Sequence, residues 1–222
     1  MGITDDQLSR LDAVIVRHAP IKKGRHWYRA GDTVQSIYAI RSGSVKTHYT
    51  LEDGAEQVAG FHLPGELIGL DAIYTREHGS SATALETTSI CEIPFHHLEA
   101  LSTQIPELQR QLLRIMSQEM RRDRSLILLL SKKTAEQRVA WLLYRISRGL
   151  EQRHYSGREF FLSMSRNDIG NYLGLTVETV SRVFTRFQRK NLLRAEGKHI
   201  ALLDTEHLCR LAGAPLAQYL PR

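Results

Sequence analysis

The sequence predicts an α+β chain: an N-terminal antiparallel β jelly roll, a long dimerisation helix and a C-terminal winged helix-turn-helix. Three observations carry that expectation. Glycines recur at 24, 31, 43, 54, 60, 65 and 69 and separate short β-prone pieces. Apolar residues then fall at heptad spacing along one continuous helical stretch. Finally, two short, capped helices precede a hairpin. The expected divisions are 1–105 for the jelly roll with a short N-terminal helix, 106–133 for the dimerisation helix and 134–222 for the winged helix-turn-helix.

Residues 1–19 read as a short helix, with Thr4 as N-cap and Leu8, Leu11, Ile15 and Val14 on one face. From Ile21 to Ile93 short strands are expected at Trp27-Tyr28, Ser36 to Ile40, Ser44 to Tyr49, Gln57 to Ala59 and Ser89 to Ile93. Short strands with close turns suit an antiparallel sandwich or jelly roll. After Pro94-Phe95 the texture turns helical, and a long helix is expected from Pro106 to about Leu130. Leu113, Met116, Met120, Asp123, Ile127 and Leu130 follow spacings of 3, 4, 3, 4 and 3. That is a two-stranded coiled-coil seam, although a helix packed on its own domain can show the same stripe. In a symmetric parallel pair the two Asp123 carboxylates would approach each other, and like charges weaken such a pair. A deliberately marginal dimer is therefore expected.

Residues 134–150 form a further amphipathic helix through Val139, Leu142, Leu143 and Ile146, followed by a polar loop from Glu151 to Gly157 and a short strand at Phe160 to Leu162. Ser165 and Asp168 have the spacing of a capping box and open a helix from Arg166 to Leu173. Gly174 permits the left-handed backbone that ends it. Thr176 caps the next helix, Val177 to about Arg189, so the pair is a helix-turn-helix. Val177, Val180, Phe184 and Phe187 are assigned to its buried face, which turns Glu178, Ser181, Arg182 and Thr185 outward. Leu192 to Arg194 and His199 to Leu203, joined through Glu196-Gly197-Lys198, form the wing.

Charge supports a polyanionic partner for the last module. Residues 1–131 hold 14 Lys and Arg against 16 Asp and Glu, whereas residues 132–222 hold 16 against 8. A basic module beside a near-neutral one points to nucleic acid. Arg182 can donate two parallel bonds to guanine O6 and N7, and Glu178 can accept from cytosine N4. A carboxylate is a poor phosphate ligand, so Glu178 favours base reading over plain attraction. Ser181 completes the base-reading set. Thr176, Thr185, Arg186, Arg189, Lys190 and Lys198 are the candidate phosphate contacts.

Other function classes find little support. No P-loop, nucleophile elbow or catalytic carboxylate pair appears, so an enzyme is not expected. His96-His97 has no further ligand at metal spacing. No stretch of 18 apolar residues could span a membrane. The first residues lack the basic and apolar regions of a signal peptide, so a cytoplasmic protein is expected. The two cysteines, Cys91 and Cys209, read as buried free thiols.

The stretch from Arg166-Asn-Asp-Ile-Gly to Val-Ser-Arg182 resembles the DNA-binding signature of the CRP/FNR family, close to its FNR/ANR branch. Tyr38-Ala-Ile-Arg-Ser-Gly43, Gly60-Phe-His-Leu-Pro-Gly65, Ala84 to Pro94 and Leu128 to Lys133 resemble that branch too, so the likeness covers nearly the whole chain. It implies a cyclic-nucleotide-binding-like jelly roll and a homodimer on a two-fold site in double-stranded DNA. It also implies that Glu178, Ser181 and Arg182 read TTGAT-like half-sites. Asp123 falls where the branch places its dimer-controlling acid. Contacts to RNA polymerase are implied through sandwich loops, with Glu52-Asp53-Gly54 a candidate beside the simpler reading as a solvated hairpin.

One departure bears on sensing. Members of the branch hold a [4Fe-4S] cluster with three cysteines of an N-terminal segment and a fourth in the sandwich. Cys91 matches the fourth, and the other three are absent from this sequence. A cluster needs four thiolates or substitutes. His18, His26 and His62 are candidate substitutes, though their spacing does not favour them. No cofactor or metal is therefore expected in the chain as given. A clipped start, a natural loss and a different sensor such as haem all remain open. Cyclic-nucleotide binders of the wider family use Gly-Glu-Leu and a later Arg-Ser-Ala. Gly65-Glu66-Leu67 is present, but the later site reads Ser80-Ser81-Ala82, which removes the phosphate's strongest partner. The rival expectation is a haem- or cyclic-nucleotide-sensing protein of the same fold whose DNA binding depends on the effector or is lost.

Overall fold

The computed structural model describes residues 4–213, which form two compact units divided at Ser117/Gln118. Residues 1–3 of the expected first helix and residues 214–222 of the expected C-terminal module lie outside the described residues. The dividing line falls inside the long helix, so each unit is taken by itself.

In the first unit, helix α1 (Asp5–Val14) opens on a reciprocal capping box. The Gln7 N–H donates to the Thr4 hydroxyl, and the Thr4 N–H donates back to the Gln7 side chain. The helix is shorter than expected, because Ile15 is already extended and the chain continues as β1 (Val16–Arg17). Leu11, Val14 and Ile15 pack against a buried cluster, whereas Leu8 is exposed. The expected apolar face is thus one residue too long at its start.

Eight strands build two four-stranded antiparallel sheets. One has the order β1-β8-β3-β6, with β3 (Ser36–Ser42), β6 (Leu67–Ile68) and β8 (Ser89–Pro94). The other has the order β2-β7-β4-β5, with β2 (His26–Tyr28), β4 (Val45–Thr50), β5 (Glu56–His62) and β7 (Ser81–Ala84). Tyr28, Ile40, Val45, Ile68, Ala82 and Ile90 form one buried cluster drawn from both sheets. Ile37 and Ile93 form a second with Leu98 and Leu101 of α2 (Phe95–Gln104) and with Ile105 and Leu108. The expected jelly roll is present. β1, β6 and β7, which the sequence did not mark, complete its sheets.

The turn between β3 and β4 depends on Gly43, whose φ is +81°. A Cβ there would lie 2.5 Å from both the Thr87 carbonyl oxygen and the Thr88 hydroxyl. That same hydroxyl accepts from the Ser44 N–H at 3.3 Å and donates to the Ser44 carbonyl at 3.1 Å. Glycine is needed here for both conformation and space.

Helix α3 (Pro106–Lys132) runs 27 residues, about 40 Å at 1.5 Å per residue. In the second unit, α4 (Ala135–Glu151) buries Val139, Leu142, Leu143 and Ile146 as expected, along with Trp141. It is followed by β9 (Glu159–Phe161), α5 (Arg166–Leu173), α6 (Val177–Arg189), β10 (Leu193–Glu196), β11 (His199–Leu202) and α7 (Thr205–Ala212). The last three strands pair antiparallel in the order β10-β11-β9, which is the wing. Helix α7 was not expected. It packs on α4 through buried Leu208 and Ala212. Gly43→Ala should destabilise the sandwich by about 1–3 kcal/mol, read as a lower urea midpoint. An unchanged midpoint would show that the turn relaxes freely.

Candidate nucleic-acid interface

The two helices of the reading pair are fixed first by their ends. Ser165 and Asp168 cap α5 reciprocally: the Asp168 N–H donates to the Ser165 hydroxyl and the Ser165 N–H donates to the Asp168 carboxylate, both at 3.0 Å. Gly174 ends α5 in the left-handed region, φ +62°. The Leu175 N–H then reaches back to the Gly170 carbonyl at 2.8 Å. This tight closure requires a second glycine, since a Cβ on Gly170 would sit 2.6 Å from the Leu175 carbonyl oxygen. Thr176 starts α6 by accepting from the Thr179 N–H at 3.2 Å.

The facing of α6 follows from what it buries. Val180, Val183, Phe184 and Phe187 are buried. Val177, assigned to this face from sequence, is 38% exposed, and Val183 takes its place. The true stripe is i, i+3, i+4, i+7, and Val177 lies in the first turn, at its margin. Arg166 of α5 lies over the Phe184 ring, 3.3 Å from its centroid, and burial there pulls its pKa below the ordinary arginine value. A guanidinium on an aromatic face joins the two helices by cation–π attraction.

A second arginine ties the pair to the helices before it. Arg138 on α4 donates through Nη1 to the Leu173 carbonyl at 2.8 Å and through Nη2 to the Leu130 carbonyl at 2.8 Å. Its Nε donates to the Lys133 carbonyl at 3.0 Å. The terminal carbonyls of a helix have no partner within it, and one guanidinium serves the ends of both α3 and α5. Nothing local in the sequence marks this arginine, because one of its partners is 35 residues away.

The outward face carries the expected set. Glu178, Ser181, Arg182, Thr185, Arg186, Arg189 and Lys190 are all exposed on α6, and Thr176 is exposed at its start. The Glu178 carboxyl is held below its usual pKa, first by its own backbone N–H, then by the Thr176 hydroxyl, with a smaller pull from Arg182. It is therefore an acceptor at neutral pH, as reading cytosine N4 requires. The Thr185 hydroxyl donates to the Ser181 carbonyl at 3.1 Å. Lys198, at the wing turn, is exposed but donates its Nζ to the Ser163 carbonyl at 2.8 Å. Arg186 is ion-paired to Glu136 of α4, and the Lys190 Nζ lies 3.9 Å from the same carboxylate. Sequence reasoning missed Glu136, 50 residues away from Arg186.

In the sandwich unit, several side chains weighed for ligands have partners within the fold. The Ser81 hydroxyl accepts from the Ala30 N–H at 3.1 Å, and a Glu66 carboxylate oxygen accepts from the Leu63 N–H at 3.1 Å. Arg76 lies over the Phe95 ring, 5.3 Å from its centroid. The His18 Nε2 is 2.6 Å from a Glu92 carboxylate oxygen, and the His62 Nε2 is 3.0 Å from the Thr47 hydroxyl. In the turn Glu52-Asp53-Gly54, an Asp53 carboxylate oxygen accepts from the Ala55 N–H at 2.9 Å. Among the described residues no helix is long and apolar enough to cross a membrane.

Gly170→Ala should lower thermal stability by the equivalent of about 1–3 kcal/mol, because backbone at the α5–α6 turn must shift. A melting temperature equal to the parent's would remove the close approach as a constraint.

Comparison with known proteins gives concordant results. Residues 162–193 match the family described as bacterial regulatory proteins, crp family, and residues 19–104 match the cyclic nucleotide-binding domain. The chain is 53% identical over 213 residues to the transcriptional activator protein Anr of Pseudomonas protegens, covering 96% of this chain and 87% of that protein. It is 50% identical over 211 residues to the fumarate and nitrate reduction regulatory protein of Escherichia coli K12, covering 95% and 84%. The structure of FixK2 from Bradyrhizobium japonicum superposes with a TM-score of 0.79 at 32% identity, covering 88% of this chain and 97% of that one. Sequence, fold and the geometry of the helix pair agree: the chain belongs to the CRP/FNR family of DNA-binding transcription regulators, in its FNR/Anr branch.

Proposed function

We propose that the chain activates transcription as a homodimer bound to an inverted TTGAT-like repeat. One observation carries this reading. Glu178, Ser181 and Arg182 share the exposed face of a helix whose opposite face is fixed by Val180, Val183, Phe184 and Phe187. That gives a carboxylate, a hydroxyl and a guanidinium at the spacing of a major-groove reader. Arg182 reads guanine, Glu178 accepts from cytosine and Ser181 touches a base or the adjoining phosphate. Thr176, Thr185, Arg186, Arg189, Lys190 and Lys198 hold the backbone. Activation is assigned from the relatives named as transcriptional activators. Glu52-Asp53-Gly54, an exposed acidic turn, is a candidate contact to RNA polymerase beside its reading as a solvated hairpin. A cytoplasmic location goes with that role.

The homodimer reading rests on α3. Leu113, Met116, Met120 and Ile127 are exposed along one stripe, Asp123 is exposed within it, and Leu130 is half-buried. Apolar side chains at heptad spacing favour burial against a second copy. The Asp123 pair opposes it.

Two cysteines do not supply the four thiolates that the branch's [4Fe-4S] cluster needs. Cys91 is half-buried in the first unit, Cys209 lies in the second, and among the described residues no three or more His, Cys, Asp or Glu side chains group as metal ligands. Oxygen- or redox-linked control through a cluster would need cysteines supplied by an upstream segment.

Arg182→Ala should cost about 1–3 kcal/mol at one base pair and relax preference there, read by gel shift on single-substituted duplexes. A uniform loss across all duplexes would make Arg182 a phosphate contact. Equal affinity of the parent for the repeat and a scrambled duplex would sink the base-reading assignment itself. Asp123→Ala should tighten self-association in sedimentation velocity. Unchanged association would remove the carboxylate pair as the limit on the dimer.

A further inference from the structure

We propose that Glu136 is an internal counter-charge that sets how strongly the reading helix grips the phosphate backbone, without taking part in base reading. The inference rests on the assignment of Arg186 and Lys190 as backbone contacts. These two cations are four residues apart on the exposed face of α6. A single carboxylate from the first turn of α4 faces both: Arg186 Nη1 pairs with one oxygen of Glu136, and the Lys190 Nζ lies 3.9 Å from the other. The side chains of Arg186 and Lys190 remain 58% and 52% exposed, while that of Glu136 is 23% exposed.

A structural role explains this arrangement poorly. Ion pairs this open to solvent contribute at most about 1 kcal/mol to stability. Val180, Phe184 and Phe187 are already buried on the opposite face, and α6 packs against both α4 and α5. The consequence for a polyanionic ligand is larger. A DNA phosphate and the Glu136 carboxylate have the same charge and compete for the same guanidinium. While Glu136 is ionised, the local field of two cations is reduced to that of one. The guanidinium is also held in place, so it meets the backbone pre-oriented but partly neutralised. Arg182 stands one turn before Arg186 on α6, but the cations that Glu136 faces are Arg186 and Lys190, the two assigned to the backbone. Glu136 therefore acts on the sequence-independent part of affinity, the part governed by counterion release.

The test compares the full chain, Glu136→Gln, Arg186→Ala and the double variant on two labelled duplexes. One carries the inverted TTGAT repeat and the other is a scrambled duplex of the same composition, each titrated at several salt concentrations. Glu136→Gln should bind both duplexes about three- to tenfold more tightly at low salt, by the same factor on each. Its salt slope should steepen by about one unit. The gain should vanish in the double variant. Thermal melting checks that folding is retained, and Glu136→Ala provides a second neutral side chain. Unchanged or weaker binding by both neutral variants with parental melting would overturn the proposal, as would a gain that persists without Arg186. A parent that does not prefer the repeat strikes only at the base-reading assignment, because binding to the scrambled duplex still decides the role of Glu136.

Discussion

The reading surface depends on the burial of one side of α6. Val180, Val183, Phe184 and Phe187 are all inside, and two aromatic rings commit far more apolar area than any outward-facing group could offset. Once those four are placed, helical geometry leaves no choice about Glu178, Ser181 and Arg182: they must face solvent together. The flanking devices serve that placement. The Thr176 cap and two glycines fix where α5 stops and α6 begins. Arg166 closes over Phe184 from the neighbouring helix. Function here is displayed by the side of the helix that packing does not use.

Much of this was legible in the sequence, for reasons of range. Caps at Thr4, Ser165 and Thr176 act over three residues, so residue identity and spacing suffice. The long apolar stripe of α3 repeats often enough to mark a helix. The misreadings have matching causes. Val177 was assigned inward because it lies three residues before Val180, but the first turn of a helix lies at the margin of the stripe. β7 went unseen because Ser81 to Ala84 are buried at all four positions, without the alternation that marks a strand. β1 and β6 are two residues each, too short for any period. α7 is only eight residues long, so its period is short. The contacts of Arg138 with α5 and of Glu136 with α6 bridge dozens of residues, and no local pattern announces them.

The basic module is less basic than its composition suggests. Of the cations on the candidate interface, Arg186 and Lys190 face Glu136, and Lys198 donates to a backbone carbonyl. Arg166, which counts toward the net charge, is turned onto an aromatic ring. A count of lysines and arginines therefore overstates the field that a phosphate would meet. The candidate base-reading residues are few, and one of them is acidic. On the proposed reading, such a surface holds nonspecific attraction down and leaves discrimination to geometry.

Arg138 has a mechanical corollary. Its guanidinium grips carbonyls of Leu130, Lys133 and Leu173 with three nitrogens, and a planar group can satisfy all of them only while they keep one mutual arrangement. Rotating or unwinding the last turn of α3 would break that chelate and release the end of α5. The geometry at the end of α3 and that at the end of α5 are thus tied through a single side chain.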